Sequence, residues 1–146
     1  MKKLITKVAL SAILVLPSVL SAEQAKGLNV LINSADPQTQ AMAMVLSMMS
    51  IKQHNKEVSI VLCGAAGDLA DKDIKSAAVK RPDGTEASPQ QNLQMLIKLG
   101  AKVEVCPLYL PNASKDTSVL LEGVTVAKPP VVAGKLLDKD YQNLSF

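Results

Sequence analysis

From residue 28 onward, apolar and polar positions fall into short blocks whose period keeps changing. Leu28-Asn29-Val30-Leu31-Ile32-Asn33 is a brief apolar run bounded by polar residues and predicts a buried strand. Asp36-Pro37 supplies an N-cap and a first-turn proline, and strong helix formers at helical spacing continue over 38–53. Val58-Ser59-Ile60-Val61-Leu62-Cys63 predicts a second strand; Gly64-Ala65-Ala66-Gly67 closes it, and a short helix over 69–78 follows. Arg81-Pro82-Asp83-Gly84 has the proline and glycine of a type I turn. Ser88-Pro89-Gln90-Gln91 combines an N-cap, a proline and a capping-box glutamine; its helix runs to Leu99 and stops at Gly100. Lys102-Val103-Glu104-Val105-Cys106 is the third predicted strand. Asn112 or Ser114 then caps a helix through Leu121, stopped at Glu122-Gly123. Val124-Thr125-Val126 predicts a fourth strand, 130–137 a last helix and 142–146 a closing strand. Such alternation implies an α/β domain with a mostly parallel sheet of about five strands. Both cysteines then stand at carboxyl ends of strands, the edge where open α/β sheets bind ligands.

The first 22 residues have a different character. Residues 1–7 are basic, 8–16 almost wholly apolar, Pro17 breaks the run, and Ser18-Val19-Leu20-Ser21-Ala22 provides small residues for cleavage. That is the layout of a secretory signal peptide, with Ser21 or Ala22 the last residue removed. The apolar stretch is well short of the ~20 residues of a spanning helix. The expected organisation is a signal peptide over 1–22 and one domain over 23–146, with a mature protein that is soluble, exported and periplasmic, and not membrane-bound after cleavage.

Charge changes the picture only after this division. The whole chain carries 16 Lys+Arg against 13 Asp+Glu, a formal charge of +3, but Lys2, Lys3 and Lys7 precede the cleavage point. The remainder is neutral, and Tyr109, Tyr141 and Phe146 are its only aromatics. It offers neither a basic stripe nor a stacking platform, which excludes nucleic acid as a partner class. At 48% hydrophobic and 20% charged, the chain is not a disordered one.

The segment Leu99-Gly100-Ala101-Lys102-Val103-Glu104-Val105-Cys106-Pro107 resembles the helix, glycine, strand, cysteine segment of the DsrE-like sulfur-relay proteins. Glu122-Gly123-Val124-Thr125-Val126-Ala127, a following helix and a terminal Leu-Ser-Phe are similar to that family's ending. The resemblance covers Leu28 to Phe146. It implies a flavodoxin-like three-layer sandwich, frequent homo-oligomers, and Cys106 as the position that carries a persulfide. Some exported relatives hold a second cysteine three residues later, where this chain has Tyr109. The loss removes a local dithiol, and the export signal separates this chain from the cytoplasmic partners of better-known members.

Position alone leaves two readings of Cys106: a nucleophile near free N–H groups at the predicted helix start around Asn112 or Ser114, or a small packed residue. The resemblance favours the first, with a thiol or persulfide protein as sulfur donor or acceptor. Cys63, before its Gly-Ala-Ala-Gly loop, is an auxiliary thiol or a packed strand end. In a flavodoxin-like order the first strand lies between the second and third, which would hold Cys63 and Cys106 nearly 10 Å apart, too far for a static disulfide without loop movement; a redox-linked bridge, with Cys63 resolving a persulfide, stays open. Met42, Met44, Met48 and Met49 raise Cu(I) binding but divide between two helix faces, the pattern of packing residues. His54 reads as a solvated helix end, and Asp68, Asp71 and Asp73 lack the ligand spacing of a calcium loop. No nucleotide, flavin, haem or metal signature is present, so no cofactor is expected. The alternative function is a non-catalytic oligomeric binding or assembly module with structural cysteines.

Overall fold

The computed structural model describes residues 24–146; the predicted signal peptide lies outside the described residues. Strands β1 (Gly27–Ile32), β2 (Glu57–Leu62), β5 (Lys102–Val105), β6 (Val124–Val126) and β7 (Tyr141–Ser145) form one sheet in the order β6-β5-β2-β1-β7. Every neighbouring pair in it is parallel. Two short strands, β3 (Val79–Lys80) and β4 (Glu86–Ala87), pair antiparallel about the Arg81–Gly84 turn, where the Gly84 N–H donates to the Arg81 carbonyl at 3.0 Å. Helices α1 (Pro37–His54) and α2 (Pro89–Lys98) cover one sheet face, and α4 (Pro129–Leu136) covers part of the other. The class is α/β, a flavodoxin-like sandwich of three layers.

Local chemistry explains the long helices. The Asp36 carboxylate accepts the Thr39 N–H at 2.7 Å, and Ser88 and Gln91 close a full capping box around Pro89. Asn55 and Gly100 end α1 and α2 at positive φ, 51° and 94°. The two helices meet the sheet through alternating strand residues. Val30, Ile32, Ile60, Leu62, Val103 and Val105 are buried against Ala43, Met44, Leu93 and Leu96.

The opposite sheet face mixes polar residues with apolar ones such as Leu31 and Val61. Asn29, Ser59 and Glu104 are buried there, beneath α4. The Asn29 amide donates to the Lys135 carbonyl at 2.8 Å and to Asn143 at 3.0 Å, while Lys135 Nζ donates to Ser59 Oγ at 2.8 Å. Burial and the nearby Lys102 charge pull the Lys135 pKa below its ordinary value, against the attraction of Glu104.

Three expectations need correction. The predicted helix over 69–78 is instead a 3-10 segment, Gly64–Ala70, followed by loop. Asp71 stops it: its backbone leaves the helix and bridges Leu120, and its buried carboxylate pairs with Lys115. The predicted helix from Asn112 or Ser114 to Leu121 is also absent. Its place is taken by a single turn, α3 (Tyr109–Asn112), and a 3-10 turn, Thr117–Val119, separated by Ser114 at φ 54°. Finally, the predicted flavodoxin-like order, with β1 between the cysteine-bearing strands, is wrong. The strand that follows Cys63's strand in the sheet is β5 itself, and β1 lies on the far side of β2.

Candidate functional site: two thiols at the carboxyl edge

The corrected order changes the relation between the cysteines. Leu62 of β2 is paired with Val105 of β5, so Cys63 and Cys106 occupy the next rung of the same ladder. The ladder bonds run up to that point: the Cys106 N–H donates to the Leu62 carbonyl at 2.8 Å, and the Cys63 N–H to the Ile32 carbonyl at 2.8 Å. Side chains alternate along a strand, and Leu62 and Val105 both face the α1/α2 core. Both sulfurs therefore leave the sheet on the same side. Both are half-buried free thiols. The argument that a strand intervenes between them is overturned.

The pair lies in an open hollow of about 490 Å³ lined by Cys63, Gly64, Cys106, Leu108, Tyr109 and Asn112. None of these side chains is charged. A hollow of similar volume, about 510 Å³, is bordered by Gln94, Ile97, Lys98 and Glu122, but it contains no nucleophile. Chemistry rather than volume selects the cysteine hollow.

Two loops make its walls. Gly64, at φ 54°, turns the chain away immediately after Cys63. After Cys106 and Pro107 the chain tightens so that the Tyr109 N–H donates to the Cys106 carbonyl at 3.0 Å. The Tyr109 ring then lies flat on Gly67, where an added Cβ would meet the ring Cγ at 2.5 Å. Its hydroxyl donates to Asp68 at 2.9 Å. Tyr109 thus clasps the loop after Cys63 to the loop after Cys106. Burial, and secondarily the Asp68 carboxylate accepting its proton, raise the Tyr109 pKa, so the hydroxyl remains a donor.

The clasp is anchored below by Asp71, whose side chain is 0% exposed. It accepts the Asp73 N–H at 2.8 Å and pairs with Lys115. The Gln90 amide reaches across from α2 to the carbonyls of Asp71 at 2.7 Å and Ile74 at 2.9 Å.

Burial pushes the Cys63 pKa up to about 11, and hydrogen bonding and charge at the neighbouring Cys106 sulfur add to the rise. Cys63 holds its proton at neutral pH. The helix start once expected near Cys106 is only the one turn α3, so it supplies no extended helix dipole.

Other expected features sit elsewhere. Met44 is fully buried and Met48 packs against the core, while Met42 is exposed; the methionines do not converge. His54 is the exposed last residue of α1. Asp68, Asp71 and Asp73 serve Tyr109, Lys115 and a tight turn, respectively. Among the described residues no three His, Cys, Asp or Glu side chains cluster as metal ligands. Sequence reasoning treated Tyr109 only as a missing cysteine. Its spacing of three from Cys106, opposite a glycine-rich loop, was the available signal for the clasp.

No family model and no curated protein matches the chain. Solved structures do. The ychN protein from E. coli superposes with a TM-score of 0.69 at 18% identity, covering 83% of this chain and 99% of its own. A protein of unknown function from Methanobacterium thermoautotrophicum gives 0.60 at 13% identity, covering 82% of this chain and 97% of its own. At these identities the likeness establishes a common fold.

Proposed function

We propose that this chain is an exported DsrE-like protein that carries sulfane sulfur as a persulfide on Cys106. The observation that carries the reading is Cys106 itself, an unbridged thiol at the carboxyl edge of a parallel sheet, opening into an uncharged hollow. The fold shared with the E. coli and methanobacterial proteins is the one the DsrE-like resemblance implies. Uptake is a displacement: the Cys106 thiolate attacks a terminal sulfur of an inorganic polysulfide, and a chain one sulfur shorter leaves with the electron pair. The product persulfide then passes its outer sulfur to an acceptor thiol. The half-exposed Cys106 and the open hollow admit both small donors and a partner's cysteine loop.

The test is an intact mass of the reduced mature protein before and after polysulfide, beside Cys106→Ser. The expected result is a gain of one sulfur atom that requires Cys106. A second reading, assembly without sulfur chemistry, draws on the apolar outer face of α1 and α2, where Met42, Val45, Leu46 and Met95 are all exposed. Failure of a folded protein with free thiols to take up sulfur would favour that reading.

A further inference from the structure

The strand order makes neighbours of two thiols that the sequence reading held apart, and Cys63 has no part in the carrier step. We infer that Cys63 is the resolving thiol of Cys106: it discharges a Cys106 persulfide as hydrosulfide and leaves a Cys63–Cys106 disulfide. The inference rests on the carrier reading of Cys106.

The geometry is that of adjacent strands. Neighbouring strands are about 4.8 Å apart, and a disulfide spans Cα separations of about 4.4–6.8 Å. The next-rung position after Leu62 and Val105 satisfies that range, and both side chains leave the sheet on one side. Both border the same hollow. Gly64 follows Cys63 at φ 54° and is exposed, so no side chain of the next residue stands over the thiol pair.

The step balances without an outside oxidant. The Cys63 sulfur attacks Sγ of Cys106, forming the Sγ–Sγ bond as the bond between Sγ and the outer sulfur breaks. The outer sulfur leaves with the electron pair and takes up the proton given by the Cys63 thiol. Sulfane sulfur is reduced to hydrosulfide while two cysteines are oxidised to one disulfide. A dithiol reductant then restores both thiols. Cys63 attacks as its thiolate, and its raised pKa means that the thiol gives up its proton only as the departing outer sulfur takes it. Cys63 thereby sets the output of the site: sulfide with it, a transferable persulfide without it.

The experiment uses reduced mature protein, loaded with inorganic polysulfide, desalted, and followed by sulfide release and by intact mass after alkylation. The wild type is expected to release sulfide and finish two hydrogens lighter than its reduced form. Cys63→Ser and, as a second variant, Cys63→Ala should retain the extra sulfur and release sulfide roughly tenfold or more slowly until a dithiol is added. Far-ultraviolet circular dichroism checks that each variant is folded. If the wild type keeps its extra sulfur as long as both Cys63 variants do, Cys63 is not a resolving thiol, and the carrier reading survives. If neither wild type nor Cys63 variants gain sulfur or form a disulfide, the carrier reading fails and this inference falls with it.

Discussion

Replacing Lys115 with methionine should cost this protein more than replacing the acid it pairs with. The Asp71 side chain is fully buried, with one oxygen accepting the Asp73 N–H at 2.8 Å and the other held by Lys115. Lys115→Met keeps the aliphatic stem and removes the cation, leaving a carboxylate buried among Gln90, the 3-10 segment and the Leu120 bridge. Stranding one charge of such a pair costs about 3 kcal/mol, or about 10 °C in Tm for a domain of this size. Asp71→Asn should cost only about 1–2 kcal/mol, since an amide still accepts the Asp73 N–H. Lys115 itself, 29% exposed, can turn to water.

The pH dependence gives the sharper check. Burial is the largest influence on Asp71 and works to raise its pKa; the Lys115 bond, the Asp73 N–H and the Lys115 and Lys72 charges outweigh it and leave the carboxyl below its ordinary value. A depressed folded pKa means stabilisation present above the unfolded value of about 4, and lost as pH falls through the folded value. In Lys115→Met the sign reverses, because burial without a cation raises the folded pKa and protonation relieves the penalty. Thermal melts followed by circular dichroism should therefore show the gap between wild type and variant narrowing from pH 7.5 to pH 4. A constant gap, or Asp71→Asn proving the worse variant, would refute this account of the pair.

Gly67→Ala should displace the Tyr109 ring from its seat, costing about 1–3 kcal/mol and speeding native labelling of Cys106 by a thiol reagent. Unchanged labelling and Tm together would mean that the ring does not close the site. Ser88→Ala removes the acceptor for the Gln91 N–H and opens the capping box of α2. It should lower stability by about 1 kcal/mol in urea unfolding while leaving sulfur uptake unaltered.

Much of the architecture was readable in the residues because the signals are local. Asp36-Pro37 and Ser88-Pro89 begin helices where they stand, and Gly100 ends one, since caps act within four residues. Val124–Val126 and the other strands fall within a residue or so of their apolar runs. The failures have non-local causes. Nothing local to 69–78 records that Asp71 is held by Lys115, more than 40 residues later, and by a bridge to Leu120. Strand order is likewise a property of the whole chain: apolar runs specify that β2 and β5 are buried, not that they are neighbours. That one unknown decided the candidate site. Cys106 is singled out in the sequence by its strand-end position together with the DsrE-like resemblance, whereas its relation to Cys63 was misjudged because β1 was placed between them. The buried polar residues on the α4 face of the sheet were also missed. Asn29, Ser59 and Glu104 sit at alternate positions in runs otherwise apolar enough to read as buried on both sides.

The place of β1 between β2 and β7 has a consequence for how the chain reaches its fold. One side of β1 can pair once residues 57–62 are available, but its other side waits for 141–145, with Asn29 meeting Asn143 across 114 residues of sequence. During synthesis β1 therefore has an unpaired edge until nearly all the intervening chain exists. Closing so long a loop is slow relative to local helix formation. The nascent chain is accordingly expected to keep an open, pairing-competent edge while residues 63–140 are made, a stage exposed to aggregation or to capture by a chaperone.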